Sequence, residues 1–269
     1  MDTRAFARDI RAHAVRMVAR VNASHIGGAL SMADLLAVLY GGVLDVRPDE
    51  PAWPARDRFL LSKGHNCTAL YATLALRGFL PVEELETYGR DGSRLMAHVS
   101  HKVPGVEFST GSLGHGLGFG CGKALAAKRR GKAWRTFVLL SDGELDEGSN
   151  WEAILFAGHH GLENLVAVVD YNRIQSLGRV EEVLELEPLA DKFRAFRWGV
   201  REVDGHDHDA LRAAFAALPF EPGRPSVLVA RTVKGRGVDY MEDDLAWHYR
   251  APVKPELLES ALRQLGDPA

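Results

Sequence analysis

The feature that most constrains the fold is a series of short, continuous apolar runs separated by helix-like segments. Runs of this kind are typical of strands in a parallel sheet that helices cover on both faces. The predicted strands are DRFLLS (57–62), TFVLLS (136–141), LVAVVD (165–170), RWGVREVD (197–204) and SVLVART (226–232). The sequence therefore predicts a doubly wound α/β domain with a mostly parallel sheet.

Helical periodicity fills much of the remaining chain. A helix is predicted to begin at Ser31 as its N-cap, and another ends at Gly78. Residues 150–161 lie between two predicted strands and form a further helix. The stretch from Tyr88 to Gly122 is rich in glycine and histidine and lacks periodicity, so we expect mainly loop there until a helix near Lys123.

Composition and charge exclude several classes of protein. The 269 residues carry a formal net charge of −3, which gives no general reason to bind nucleic acid or an anionic membrane. Cys67 and Cys121 have no CxxC neighbour, which predicts no structural disulfide and indicates a reduced, cytoplasmic setting. The N-terminal segment lacks the apolar core of a signal peptide, and no apolar run of about 18 residues occurs, so no membrane span is expected.

Two polar residues follow two successive predicted strands. Asp142 comes directly after TFVLLS, and Asn172 lies just beyond LVAVVD. Because ligands of such sheets bind at the carboxyl ends of the strands, both side chains are expected at one place if the strands are neighbours. A carboxylate and an amide oxygen suit a hard cation such as Mg²⁺, and Gly143 lets a phosphate approach the backbone. The pattern predicts a metal-bound phosphate site.

The order of strand, DGE, acidic loop, helix, strand and DYN resembles the thiamine diphosphate motif, which GDG opens and an asparagine closes. More specifically, the chain resembles the N-terminal, diphosphate-binding half of transketolase nearly from end to end. The matching stretches are ASHIGGALSMADLL (23–36), DRFLLSKGHNCTALYATL (57–74), PGVEFSTGSLGHGL (104–117) and TVKGRGVDYMEDDLAWH (232–248).

This resemblance implies a site for thiamine diphosphate and a divalent cation, either Mg²⁺ or another such as Ca²⁺ or Mn²⁺. Asp142, Asn172 and the backbone carbonyl of Ile174 match the metal ligands. The positions that match cofactor-binding residues are His65, Gly111, Ser112, Leu113, Gly143, Glu147, Asn172 and His248.

The resemblance also implies which residues are catalytic. His25, His98 and His248 match histidines that line the channel over the thiazolium carbon. Imidazole has an ordinary pKa near 6.5, which allows proton donation and acceptance at neutral pH. Glu147 and Glu152 match acids at the contact between cofactor sites in the family's dimer, although Glu147 is also explained as an acid favoured at a helix start.

The reaction implied is transfer of a two-carbon ketol unit from a ketose, or its phosphate, to an aldose acceptor. The family's pyrimidine-binding domain needs on the order of 150 residues, and too little chain follows TVKGRG (232–237) to hold it. We therefore expect residues 1–269 to form a single diphosphate-binding domain. It would require a C-terminal transketolase subunit, in a homodimer or heterotetramer.

Some positions depart from the family's pattern. Ser141 replaces the first glycine of GDG, Ile26 and Val99 replace prolines that follow matched histidines, and Ala97 replaces a glycine. These departures predict that cofactor binding is kept and that the substrate has shifted. Two alternatives remain open at this point: the corresponding subunit of a 2-oxoacid dehydrogenase, and a non-catalytic, cofactor-binding subunit.

Overall fold

The computed structural model describes residues 1–267, and in that range it contains a five-stranded sheet. The strands are β1 (Arg58–Leu61), β2 (Thr136–Ser141), β3 (Leu165–Tyr171), β4 (Gly199–Asp204) and β5 (Ser226–Arg231). Their spatial order is β1-β2-β3-β5-β4, and each hydrogen-bonded pair is parallel. Each predicted strand is present, and all five carboxyl ends lie at one edge of the sheet.

Helices pack against both faces of this sheet. They are α1 (Thr3–Val21), α2 (Ile26–Ser31), α3 (Ala33–Val38), α4 (Cys67–Leu76), α5 (Gly116–Arg129), α6 (Gly148–His159), α7 (Val180–Val183), α8 (Leu189–Ala195), α9 (His208–Ala216) and α10 (Pro255–Gln264). Short turns of other helix types cover 39–43, 64–66, 82–87, 143–146 and 245–248. Among the helices of the described range, none has the length and apolarity that crossing a membrane requires.

The strands divide the apolar core into two layers. In β2, Phe137 and Leu139 pack with α1 to α4, whereas Val138 and Leu140 pack with α5, α6 and α8. Alternation of this kind follows from the two-residue repeat of a strand, and here both faces are buried. The predicted doubly wound α/β architecture is confirmed.

Two predicted helix starts are wrong. Ser31 is the last residue of α2 and not an N-cap, because its hydroxyl points into the core, where it donates to the Asp170 carboxylate and lies 3.0 Å from the Gly28 carbonyl oxygen. The helix predicted near Lys123 begins earlier, at Gly116, inside the expected loop. A glycine-rich first turn hides the start of α5 from an analysis of periodicity.

Candidate active site

Four neighbouring strands each place one polar residue at the carboxyl edge of the sheet. Lys63 follows β1, Asp142 follows β2, Asn172 follows β3 and Lys234 follows β5. All four line one cavity of about 270 Å³. The arrangement brings two cations, a carboxylate and an amide together where a parallel sheet binds its ligands.

The ends of β2 and β3, which were predicted to hold a metal, are joined by a hydrogen bond. Asp142 is 2% exposed, and its Oδ2 accepts a hydrogen bond from the Arg173 amide at 2.6 Å while Oδ1 accepts from the Gly143 amide at 2.7 Å. Asn172 Oδ1 accepts from the Ile174 amide at 3.2 Å. The carboxylate therefore lies against the backbone of the segment that carries the other two predicted ligands.

These oxygens fit a hard cation in type. Carboxylate, amide and carbonyl oxygens are the ligands that Mg²⁺ and Ca²⁺ prefer. Burial, followed by the nearby charge of Asp170, raises the pKa of Asp142 to about 6, and a bound cation would reverse that shift by favouring the charged carboxylate. The set has a single carboxylate, in keeping with the absence from residues 1–267 of any cluster of three His, Cys, Asp or Glu side chains placed to hold a metal.

Lys234 supplies a buried positive charge to the same place. It is 3% exposed, and its ammonium donates to the Ile174 carbonyl at 2.7 Å and to Nδ1 of His248 at 2.8 Å. Because an ammonium only donates, His248 Nδ1 accepts and the ring proton lies on Nε2. Burial lowers the pKa of Lys234 to about 8. Lys234 thus fixes the tautomer of His248.

Lys63 is held differently, by a buried ion pair. It is 1% exposed and pairs with the fully buried Asp170, which also accepts from the hydroxyls of Ser31 and Thr232. Gly64, the next residue, lies so close to Thr110 that a Cβ would stand 2.2 Å from the Thr110 carbonyl oxygen. This contact holds the Lys63 strand end against the loop that begins at Gly111.

Three histidine rings form a cluster in the cavity. The ring centroid of His25 lies 4.7 Å from that of His65 and 5.1 Å from that of His248. Burial is the main cause that lowers the pKa of His25 to about 4, of His65 to about 2 and of His248 to about 3. The rings are therefore neutral at pH 7, so each offers one N–H and one lone pair.

The backbone at His25 is strained and well anchored. His25 has φ +70°, a region that costs a non-glycine residue about 1–3 kcal/mol and that is concentrated at functional sites. Its amide donates to the His248 carbonyl at 2.8 Å, and its carbonyl accepts from Asn66 at the same distance. Its Nδ1 is buried and has no hydrogen-bond partner among the described residues. His25, which lines the cavity, therefore keeps one ring nitrogen that no described residue satisfies.

The structure brings together most of the predicted site residues. Those that line the cavity are His25, His65, His98, Gly111, Leu113, Asp142, Gly143, Asn172, Ile174 and His248. Ser112 and Glu147 are exposed and lie outside its lining, as does Glu152 on α6. The Gly143 amide, predicted to meet a diphosphate, donates here to Asp142.

Sequence reasoning assigned no role to Lys63, Lys234 or Tyr249, which also line the cavity. A signal was available for the two lysines, because each follows a strand within the motifs LSKGH and TVKGRG. Both lysines occupy strand ends of the same kind as those that identified Asp142 and Asn172. Tyr249 follows the last matched stretch and had no such signal.

The positions that depart from the family's pattern are dispersed. Ser141 lines the cavity, whereas the side chains of Ile26 and Val99 are 0% and 2% exposed and belong to the apolar core. Ala97 is exposed and outside the lining. The core positions shape the cavity only through the backbone that they support.

A family model described as "Transketolase, thiamine diphosphate binding domain" matches residues 2–268. The chain belongs to this family. The resemblance noted in the sequence is thereby confirmed, and the domain is a thiamine diphosphate-binding domain of transketolase type.

Curated relatives of similar length include single subunits of transketolases. One, from the apulose-4-phosphate transketolase of Phocaeicola vulgatus, is 42% identical over 96% of this chain and 91% of its own. Another, the 6-deoxy-6-sulfo-D-fructose transketolase subunit SqwG of a Clostridium species, is 39% identical over 95% of this chain and 93% of its own.

Solved transketolases share the fold. The enzyme of Leishmania mexicana superposes with a TM-score of 0.92 at 33% identity, and that of Campylobacter jejuni with 0.93 at 30%. Each comparison covers 100% of this chain but only 42% and 43%, respectively, of the solved chain. The chain thus spans about two fifths of the length of these transketolases.

Proposed function

We propose that this chain is the diphosphate-binding subunit of a two-polypeptide transketolase, which moves a two-carbon ketol unit from a ketose or ketose phosphate to an aldose acceptor. The observation that carries the proposal is the single cavity in which neutral histidine rings face the Asp142–Asn172 strand ends. This chemistry requires oxygen atoms that bind a cation and rings that carry protons. Both kinds of group line this cavity.

The inner end of the cavity would hold the diphosphate and its cation. Asp142, Asn172 and the Ile174 carbonyl would hold Mg²⁺, or Ca²⁺ or Mn²⁺ in its place, and the cation would supply positive charge to the diphosphate. Lys234 would place its charge beside the same oxygens, and His65 would donate a neutral N–H. Thiamine diphosphate, when bound, supplies the carbon nucleophile and the electron sink of the reaction.

The histidines at the substrate side would orient the sugar and move protons. Nε2–H of His248, fixed by Lys234, is available to a carbonyl or hydroxyl oxygen of the ketose. His25 brings an unpaired Nδ1, and His98 lines the same wall. As neutral imidazoles, His25 and His248 each offer one N–H and one lone pair, which would hydrogen-bond the carbonyl and hydroxyl oxygens of the sugar.

A second polypeptide would complete the site. The transketolase subunits that resemble this chain are covered over more than nine tenths of their length, whereas the solved single-chain transketolases are covered over about two fifths. We propose that the remainder, including the pyrimidine-binding domain, is a partner subunit. Two copies of each subunit would form the assembly. Glu147 and Glu152, which are exposed in the single chain, would lie where two copies of this chain meet.

A reconstitution experiment tests this function. The chain would be co-purified with a candidate pyrimidine-binding subunit, and ketol transfer from a ketose phosphate to an aldose would be assayed with thiamine diphosphate and Mg²⁺. We expect turnover only when both polypeptides are present. Decarboxylation of pyruvate instead would identify a 2-oxoacid dehydrogenase subunit, and cofactor uptake without any turnover would identify a non-catalytic subunit.

A further inference from the structure

Tyr249 is a large, exposed aromatic residue on the wall of the candidate active-site cavity. It is 61% exposed, and its ring centroid lies 4.6 Å from that of His248 and 5.8 Å from that of His25. It directly follows the helical turn Leu245–His248, which the bond from the His25 amide to the His248 carbonyl holds in place. The phenol ring therefore stands at the mouth of the cavity, beside two of the three rings expected to be catalytic.

The distribution of charge in the cavity separates its inner end from its mouth. The lining lysines, Lys63 and Lys234, are 1% and 3% exposed and are bonded to Asp170 and to the Ile174 carbonyl. Their charges therefore lie at the buried end of the cavity. The wall at the mouth carries neutral rings, and a neutral aromatic wall contacts hydrocarbon and hydroxyl groups more favourably than a phosphate dianion.

We propose that Tyr249 is a specificity-determining residue that packs its ring against the carbon chain of the ketose substrate. This chain would accordingly select ketoses by their carbon skeleton and hydroxyls. The inference rests on the proposed ketol-transfer function and deepens it. It also identifies a residue that reaches the substrate side directly, as Ile26 and Val99 do not.

The test compares Tyr249→Ala and Tyr249→Phe with wild type in the complete two-polypeptide complex. Initial rates of ketol transfer would be measured with fructose 6-phosphate and with unphosphorylated fructose. Leu245→Ala is the matched control, because Leu245 is 39% exposed on the adjoining turn and lies outside the cavity lining. Uptake of thiamine diphosphate with Mg²⁺ and association of the two polypeptides would be measured by calorimetry for each variant.

We expect Tyr249→Ala to raise KM by roughly three- to tenfold for both sugars alike, which is the size of one lost aromatic contact. The kcat would stay within about twofold, since the contact is made equally in the ground and transition states. Tyr249→Phe, which keeps the ring, and Leu245→Ala would stay close to wild type.

Four results would overturn the role of Tyr249. The first is an unchanged KM in Tyr249→Ala, and the second is a KM increase for the phosphorylated sugar alone. The third is a loss of activity that weaker association of the two polypeptides or weaker cofactor uptake accounts for. The fourth, absence of ketol transfer by the wild-type complex, would remove the proposed function as well, whereas the first three leave it standing.

Discussion

Two clusters of histidines contact adjacent residues of the segment after β5, Val233 and Lys234, and they differ in how their ring nitrogens are bonded. In the first cluster, His206 and His208 flank the buried carboxylate of Asp34, and every ring nitrogen has a partner: His206 bonds Asp34 at 2.6 Å and accepts from the Val233 amide at 2.9 Å, while His208 bonds Asp34 at 2.9 Å and Thr3 at 2.7 Å.

The cavity cluster is bonded less completely. His25 has an unpaired buried Nδ1, and His248 is held by a lysine and not by a carboxylate. A neighbouring carboxylate favours the charged form of a histidine and orients its ring, whereas neighbouring lysines and other histidines favour the neutral form. The same residue type thus forms a fully bonded network beside Val233 and an incompletely bonded cluster beside Lys234.

The largest expected effect concerns the inner end of the cavity. Asp142→Asn removes the predicted charged ligand of the cation, and we expect uptake of thiamine diphosphate with Mg²⁺ by the complex to weaken by at least about 100-fold. Melting of the chain alone should stay within a few degrees, because burial already disfavours this charge. Calorimetric titration gives the affinity, and unchanged uptake would remove Asp142 from the site.

A substitution in the cluster around Asp34 should change the stability of the fold. Asp34→Asn leaves the buried guanidinium of Arg11 without its ion pair, and we expect the free energy of unfolding to fall by about 3–5 kcal/mol. The exposed Asp209, which pairs with Arg4 and Arg212, is the matched control, and Asp209→Asn should leave the free energy of unfolding nearly unchanged because solvent screens these pairs. Urea unfolding separates the two, and equal small losses would show that the first network is dispensable.

A substitution in the histidine cluster of the cavity should change the rate of ketol transfer. His25→Asn preserves the left-handed backbone, which asparagine tolerates better than most residues, and removes the ring. We expect kcat of the complex to fall by about 100-fold while cofactor uptake is retained. His101→Asn changes an exposed histidine outside the cavity lining and serves as the control. An unaltered kcat in His25→Asn would contradict a catalytic role.

A smaller effect concerns acid stability. Burial lowers the pKa of His65 from 6.5 to about 2, so between these values the unfolded chain binds a proton that the folded chain excludes. Stability contributed by neutral His65 is thus present above about pH 6.5 and is lost as the pH falls.

Its removal should flatten the pH profile of stability. Between pH 7 and 4.5 we expect the free energy of unfolding of His65→Gln to fall by about 1–2 kcal/mol less than that of wild type, as measured by urea unfolding. His159→Gln, at an exposed position of α6, should follow the wild-type profile. Parallel profiles for His65→Gln and wild type would show that this ring is not held neutral by burial.

Local patterns in the sequence predicted the sheet well and the origin of helices less well. Continuous apolar runs specify buried parallel strands and identified β1, β2, β3 and β5, whereas the edge strand β4 is more polar and only partly buried. Ser31 was misassigned because its hydroxyl is used by Asp170, which is 139 residues away. A contact of that sequence separation leaves no periodic signal.

The candidate site likewise contains some features that the sequence predicted and others that depend on the fold. Asp142 and Asn172 could be predicted because they follow strands, but the neutral state of the histidines depends on burial by distant elements. The position of Lys234 after a strand was a signal in the sequence, but its contact with His248, which sets the tautomer of that ring, depends on the fold. Tyr249 became significant only when the fold placed its ring beside His25.

The most direct test of the account is a calorimetric titration of the two-polypeptide complex with thiamine diphosphate, with Mg²⁺ present and after its removal by EDTA. The account predicts saturable uptake of one cofactor per copy of this chain with Mg²⁺ and a large loss of affinity without a divalent cation. No uptake in either condition, or equal uptake in both, would contradict a cation-bound diphosphate between the ends of β2 and β3.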